Sequence, residues 1–154
     1  MAWANQKLYQ ACEHLPEEAL GSFIVNPEWT AAKILQHIVS GADWYVYCLG
    51  IAPWHDIPLP ISVSEISELT KSLAKFDAQI YSAYLLDDEL ITFNEENRQI
   101  EVTRSMLLSE AVLHATEHRA QLMDAVESRG FSALSLDSID LWSYETWIGS
   151  SGQN

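Results

Sequence analysis

His114 and His118 stand four apart in "LLSEAVLHATEHRAQLMDAVESRG", residues 107–130 of a chain with five histidines. On a helix, positions four apart share a face, with Cβ atoms roughly 6 Å from each other. Two imidazoles so placed can reach one metal ion, because metal–nitrogen bonds are about 2.1 Å long. They can equally be ordinary packed or surface histidines, and the pair alone favours that reading. It is not the H-E-x-x-H of zinc proteases: residue 115 is alanine, so the glutamate base of that motif is missing. Glu117 lies one residue off the histidine face and is expected to point away.

His37 shifts the balance. It sits on the apolar stripe Ile34, His37, Ile38, Gly41, Trp44, Tyr45, Cys48 of a different helical segment. An imidazole without a partner is costly to bury there. One helix offering one inward histidine and a neighbour offering two is how helical bundles build metal sites. Three histidine ligands leave coordination positions open, as catalytic sites do. A neutral ligand set leaves the full charge of the ion to lower the pKa of a bound water or thiol.

The other candidates are weaker. His14, near the end of the first helix, suits a helix C-terminal dipole. His55, in "APWHD", either approaches the site as a mobile group or is a solvated loop residue, and the second reading is favoured. Cys48 lies three turns beyond His37, about 16 Å away; that is too far for a fourth ligand and suits a small buried residue. Gln121, one turn beyond His118, either orders a water at the site or lies on the surface. Arg119, off the histidine face, reads as a salt-bridge residue. No residue stands out as a general base, so catalytic residues beyond the metal ligands stay open.

The elements that would position these residues follow from periodicity. Trp3, Leu8, Ala11, Cys12, Leu15 and Leu20 space out a first helix from residue 2 towards Gly21, with Pro16 inside it. "NPEW", 26–29, is a loop, and Thr30 caps a second helix that stops at Gly50. "IAPWHDIPLPIS" holds three of the five prolines and must cross over in extended form. Ser62 and Glu65 form the pattern of a capping box. They open a third helix to about residue 87, with Ile66, Leu69, Leu73, Phe76, Ile80 and Tyr84 on one face. Leu90, Thr92, Ile100 and Val102 around "NEEN" mark a small hairpin. Thr103 or Ser105 caps the fourth helix, which ends at Gly130, and Asp137 or Ser138 caps a short last one. The expected fold is all-α: a four-helix bundle with a long crossover between helices 2 and 3, a β-hairpin before helix 4 and a short C-terminal helix. It forms one domain over residues 1–150, followed by a tail, 151–154.

Composition narrows the partners. Twenty-two acids against eight lysines and arginines give a formal charge of -14. So acidic a chain repels phosphate backbones and anionic lipid, which argues against nucleic acid and membrane surfaces. Two cysteines make no disulfide framework. No apolar run reaches the roughly 18 residues of a membrane span, and no secretory leader is visible. A reduced, cytoplasmic protein is expected. Six tryptophans suit a core with large anchors, or an interface.

The segments "MAWANQKLYQAC", "LQHIVSGADWY", "VTRSMLLSEAVLHATEHRAQL" and "LDSIDLWSYE", in this order, resemble the DinB-like (YfiT-like) superfamily of bacterial metal-dependent enzymes. The resemblance runs from Trp3 and Asn5 to Tyr144. It implies a four-helix bundle, often dimeric, with a divalent metal such as zinc or nickel on three histidines. His37 matches the histidine of helix 2, and His114 and His118 match the pair of helix 4. Where the family commonly reads H-R-G-Q, this chain has His118-Arg119-Ala120-Gln121, and it starts almost at the "WANQ" motif. Relatives of known activity include thiol transferases that use low-molecular-weight thiols, and a maleylpyruvate isomerase. The resemblance therefore implies a homodimeric enzyme in which a metal activates a thiol or water to attack a small-molecule substrate. The alternatives are a metal-dependent hydrolase and a non-catalytic, stress-related metal-binding or sensor protein. A pocket beside the metal lined by Trp54, His55, Trp142 or Trp147 would favour catalysis.

Overall fold

The computed structural model describes residues 1–151, without the side chain of Ser151; of the expected tail, residues 152–154 lie outside the described residues. The chain is mostly helical with one small antiparallel sheet. Its elements are α1 (Ala2–Cys12), α2 (Ala31–Cys48), α3 (Ile66–Tyr84), β1 (Leu90–Glu95), β2 (Arg98–Thr103), α4 (Arg104–Glu127) and α5 (Leu141–Ser151). α2 packs against both α3 and α4, and α1 packs mainly on α3.

The apolar stripes bury as their spacing predicts. Ile34, Leu35, Ile38, Val39 and Val46 of α2 meet Ile66, Leu69, Leu73, Phe76 and Ile80 of α3 and Leu122, Met123 and Val126 of α4 in one core. Thr30 caps α2, its hydroxyl accepting the Lys33 N–H, and Thr103 caps α4 by accepting the Met106 N–H. Gly50 and Gly130 follow their helices at φ +69° and +81°, a region that L side chains rarely enter. The crossover has no regular secondary structure from Ile51 to Ser62.

Several boundaries differ from the sequence expectation. α1 ends at Cys12, and Glu17–Gly21 is a separate 3-10 turn. Pro16 has no N–H to continue a helix, and here it starts the turn in extended backbone. The capping box does not form. Ser62 makes no capping bond to the helix, and Glu65 accepts the Ile61 N–H instead of that of Ser62. A 3-10 turn, Val63–Glu65, precedes α3, and α3 stops at Tyr84, which is exposed rather than on the buried face.

In the hairpin, Ile91 pairs with Val102 and Phe93 with Ile100, and Ile91, Phe93 and Val102 pack against the core. Leu90 and Thr92 are exposed on the other face, because strand side chains alternate. Glu96 and Asn97, at φ 45° and 65°, make the two-residue turn that matches strand twist. The last helix begins later than expected: Ser135 caps a 3-10 turn, Leu136–Ile139, and Asp140 accepts the Ser143 N–H at the start of α5. α5 reaches Ser151, where a tail was expected.

Candidate metal centre

The α2–α4 contact sets His37 across from His114 and His118. One ligand nitrogen from each of the three rings lies within 4.8 Å of the others, and all three residues are half-buried. His114 Nε2 is 3.1 Å from His37 Nε2. That is a hydrogen-bonding distance, and it also suits two nitrogens bound to one ion at about 2.1 Å each. The ring centroids are 4.9 Å apart for His37 and His114, and 4.4 Å for each of the other two pairs. Of the five histidines these three meet. His14 is exposed and directly follows the C-cap residue Glu13 of α1, away from the other three.

Burial is the largest influence on two of the rings. It lowers the pKa of His37, with smaller contributions from His118 and Lys33. It lowers that of His114 to about 4, helped by His118 and His37. Both are therefore neutral near pH 7 and carry a free lone pair for a ligand.

Neighbouring groups fix the ring orientations. His118 Nδ1 lies 2.9 Å from Gln121 Oε1, which also accepts the Trp29 indole N–H at 3.1 Å. An amide oxygen only accepts, so Nδ1 carries the hydrogen and Nε2 is left bare. Of the two readings of Gln121, the one at the site holds, although its partner is the histidine itself. The Trp29 ring meets His37 edge-on at 5.1 Å and stands 5.9 Å from His118. Tyr45 meets the His114 ring at 5.7 Å. Gly41 supplies room: a Cβ there would fall 2.3 Å from His114 Cε1 and 2.9 Å from its Nδ1. No other residue type leaves space for the ring where it stands.

A second polar cluster lies behind the first. Arg119 is buried rather than a surface salt-bridge residue. It donates to Asn5 Oδ1 at 2.6 Å and to Thr116 Oγ1 at 2.8 Å, and Asn5 Nδ2 donates to the Asp77 carboxylate at 2.9 Å. Burial raises Asp77 to about 6, against opposing contributions from Asn5, the N-terminus and Arg119. A water-sized space of about 10 Å³ separates this cluster from His114, bounded by Asn5, Tyr45 and Asp77.

In front of His37 opens a cleft of about 400 Å³, lined by Lys33, Gln36, Ser40, Trp54, His55 and Ile57. His55 lies in the crossover and is exposed, as expected, but it is not free. The buried Asp43 bonds both its backbone N–H and its ring. Trp54 packs edge-on against Trp44. Trp142 and Trp147 are not among the residues lining the cleft; α5 lies against α1, with Trp147 6.0 Å from Trp3. Cys48 is buried, as its position on the stripe predicts.

Asp43 and Asp77 escaped the sequence reading, yet both carry a signal. Asp43 falls between Val39 and Val46, and Asp77 between Leu73 and Ile80, at helical spacing within buried stripes. An inward acid needs a partner. Trp29 and Gly41 had no such signal, since their roles depend on how two helices and a loop meet.

The chain matches the family model described as the DinB family over residues 1–147. Neither the curated proteins nor the solved structures give a match.

Proposed function

Because the chain belongs to the DinB family, we propose that it is a metal-dependent enzyme in which His37, His114 and His118 hold one divalent ion, zinc or nickel. The observation that carries this reading is the convergence of three imidazoles from two helices, with ligand nitrogens within 4.8 Å of one another. The donor set fits: neutral imidazoles suit both ions. Gln121 accepts from His118 Nδ1 as outer partners of metal-binding histidines commonly do.

When bound, the ion supplies a Lewis acid that lowers the pKa of a thiol or water. The chain's own residues bind and orient. Trp29 walls one side of the histidines, and the cleft beside His37 has the volume of a small-molecule site. Trp54 and Ile57 offer it apolar surface, and Lys33, Gln36 and Ser40 offer polar contacts. The reaction we favour is transfer of a low-molecular-weight thiol to a small electrophile.

The same reading takes α1 to α4 as a four-helix bundle in a single domain over residues 1–150. It takes the protein as a cytoplasmic homodimer. Exposed Tyr81, Tyr84, Leu85 and Leu86 near the end of α3 support a subunit interface, and two free buried cysteines suit a reducing compartment. No helix among the described residues is long and apolar enough to cross a membrane.

Metal analysis of protein purified without a histidine tag tests the proposal. Wild type is expected to hold or take up one equivalent of zinc or nickel, and His118→Ala to lose that capacity. A wild-type protein that takes up no stoichiometric divalent metal on titration overturns it.

A further inference from the structure

Asp43 is 0% exposed, on an otherwise apolar face of α2. A carboxylate is costly in such a place without partners, and both of its bonds go to one residue of the crossover. Its Oδ2 accepts the His55 N–H at 2.6 Å, and its Oδ1 lies 2.9 Å from His55 Nδ1. A tether alone would need only the backbone bond, which any residue but proline at position 55 could make. The ring bond does something more. A carboxylate accepts, so Nδ1 carries the hydrogen and the neutral ring keeps its lone pair on Nε2. The ring is stacked on Phe76 at 6.2 Å, its side chain is 46% exposed, and it lines the same cleft as His37.

We propose that Asp43 and His55 form the proton-accepting pair of this cleft, with His55 Nε2 as the base and Asp43 as its positioning residue. The proposal rests on the reaction class inferred above. As a thiol or water enters beside His37, its S–H or O–H bond breaks and the electron pair stays on sulfur or oxygen. The proton moves to Nε2, and the imidazolium so formed is neutralised by the Asp43 carboxylate, the logic of an aspartate–histidine pair in acyl transfer. The nucleophile then forms its bond to the electrophile. The bond to the leaving group breaks, and Nε2 returns the proton to that group, or to solvent where the group leaves as a weakly basic anion such as chloride.

Two measurements test this. Nitrogen-15 NMR of the metal-free protein reads the ring tautomer of His55, which is expected to be Nδ1–H. Asp43→Asn is expected to raise the Nε2–H share, because the amide can also donate to the ring while its oxygen still takes the backbone N–H. A wild-type ring found as Nε2–H overturns the proposal. The second measurement uses zinc-loaded protein with 2-mercaptoethanol and 1-chloro-2,4-dinitrobenzene. His55→Gln retains the backbone bond to Asp43 and is expected to lower kcat about 100-fold, in the range of general-base loss, with KM and zinc affinity unchanged. Equal kcat in the variant overturns this role alone. A wild type that takes up no zinc, or one that is loaded and transfers no thiol, counts against the proposed function and this role together.

Discussion

The two polar clusters against α4 are satisfied in opposite ways. Asn5, Asp77 and Arg119 close on themselves: an acid, a base and an amide between them use one another's donors and acceptors. The three histidines do not close. His118 spends Nδ1 on Gln121, and the Nε2 atoms of His37 and His114 converge at 3.1 Å with at most one hydrogen to share. A closed cluster stabilises a fold, because breaking it strands a buried charge. An open one costs stability and is useful when something else completes it. Helix α4 carries both, with His118 and Arg119 as neighbours in sequence that serve different ends.

Substitutions can break or sharpen this contrast. The largest effect on stability is expected from Arg119→Ala, which strips the buried Asn5 Oδ1 of its charged donor and removes one of the positive charges near Asp77. Chemical denaturation should show a loss of about 2 to 3 kcal/mol, with the histidine geometry untouched. His118→Ala should do the reverse. Zinc affinity by calorimetry is expected to fall by more than about 100-fold, beyond the usual effect of an outer partner, while the metal-free protein keeps its stability. Should His118→Ala destabilise the metal-free fold as much as Arg119→Ala does, the clusters are not different in kind.

A pH series probes the closed cluster directly. Asp77 titrates at about 6 in the folded chain against a reference of 3.8. The folded state therefore holds this proton more tightly than the unfolded one. Its contribution is complete below pH 3.8 and is lost as pH rises through about 6, on the order of 3 kcal/mol. Asp77→Asn should flatten that part of the stability profile, as read from denaturation midpoints at pH 4 and pH 7. Gly41→Ala is expected to cost about 1 to 3 kcal/mol by overpacking and to weaken zinc binding by displacing His114. The smallest effect belongs to Gln121→Leu: about a tenfold loss in zinc affinity, with a smaller change in stability.

How much of this was legible in the sequence depended on the range of the interaction concerned. Helix stripes, the Thr30 and Thr103 caps, and the stops at Gly50 and Gly130 are local, and they were readable. The three histidines were readable as inward residues because 3.6-residue spacing fixes the face. Boundaries failed where two local preferences compete. Pro16 overrode an apolar stripe that continued through it. Glu65 took the Ile61 N–H in place of that of Ser62. The hairpin was readable from its polar turn, but which of its faces is buried was not, because a short strand offers few residues to set its phase. Arg119 was misjudged because its partner, Asn5, lies 114 residues away. Likewise His55 could be placed only by seeing the crossover fold back on Asp43.

Gly41 gives the site a mechanical aspect. Most helix pairs are held apart by side chains from both partners, but here an imidazole rests on bare backbone. The His114 ring is thus a shim between α2 and α4, and its tilt is tied to their spacing. Whatever turns that ring strains the helix pair, and whatever spreads the helices frees the ring. Occupancy of the site should therefore be readable far from it, as a change in how tightly these two helices are clamped.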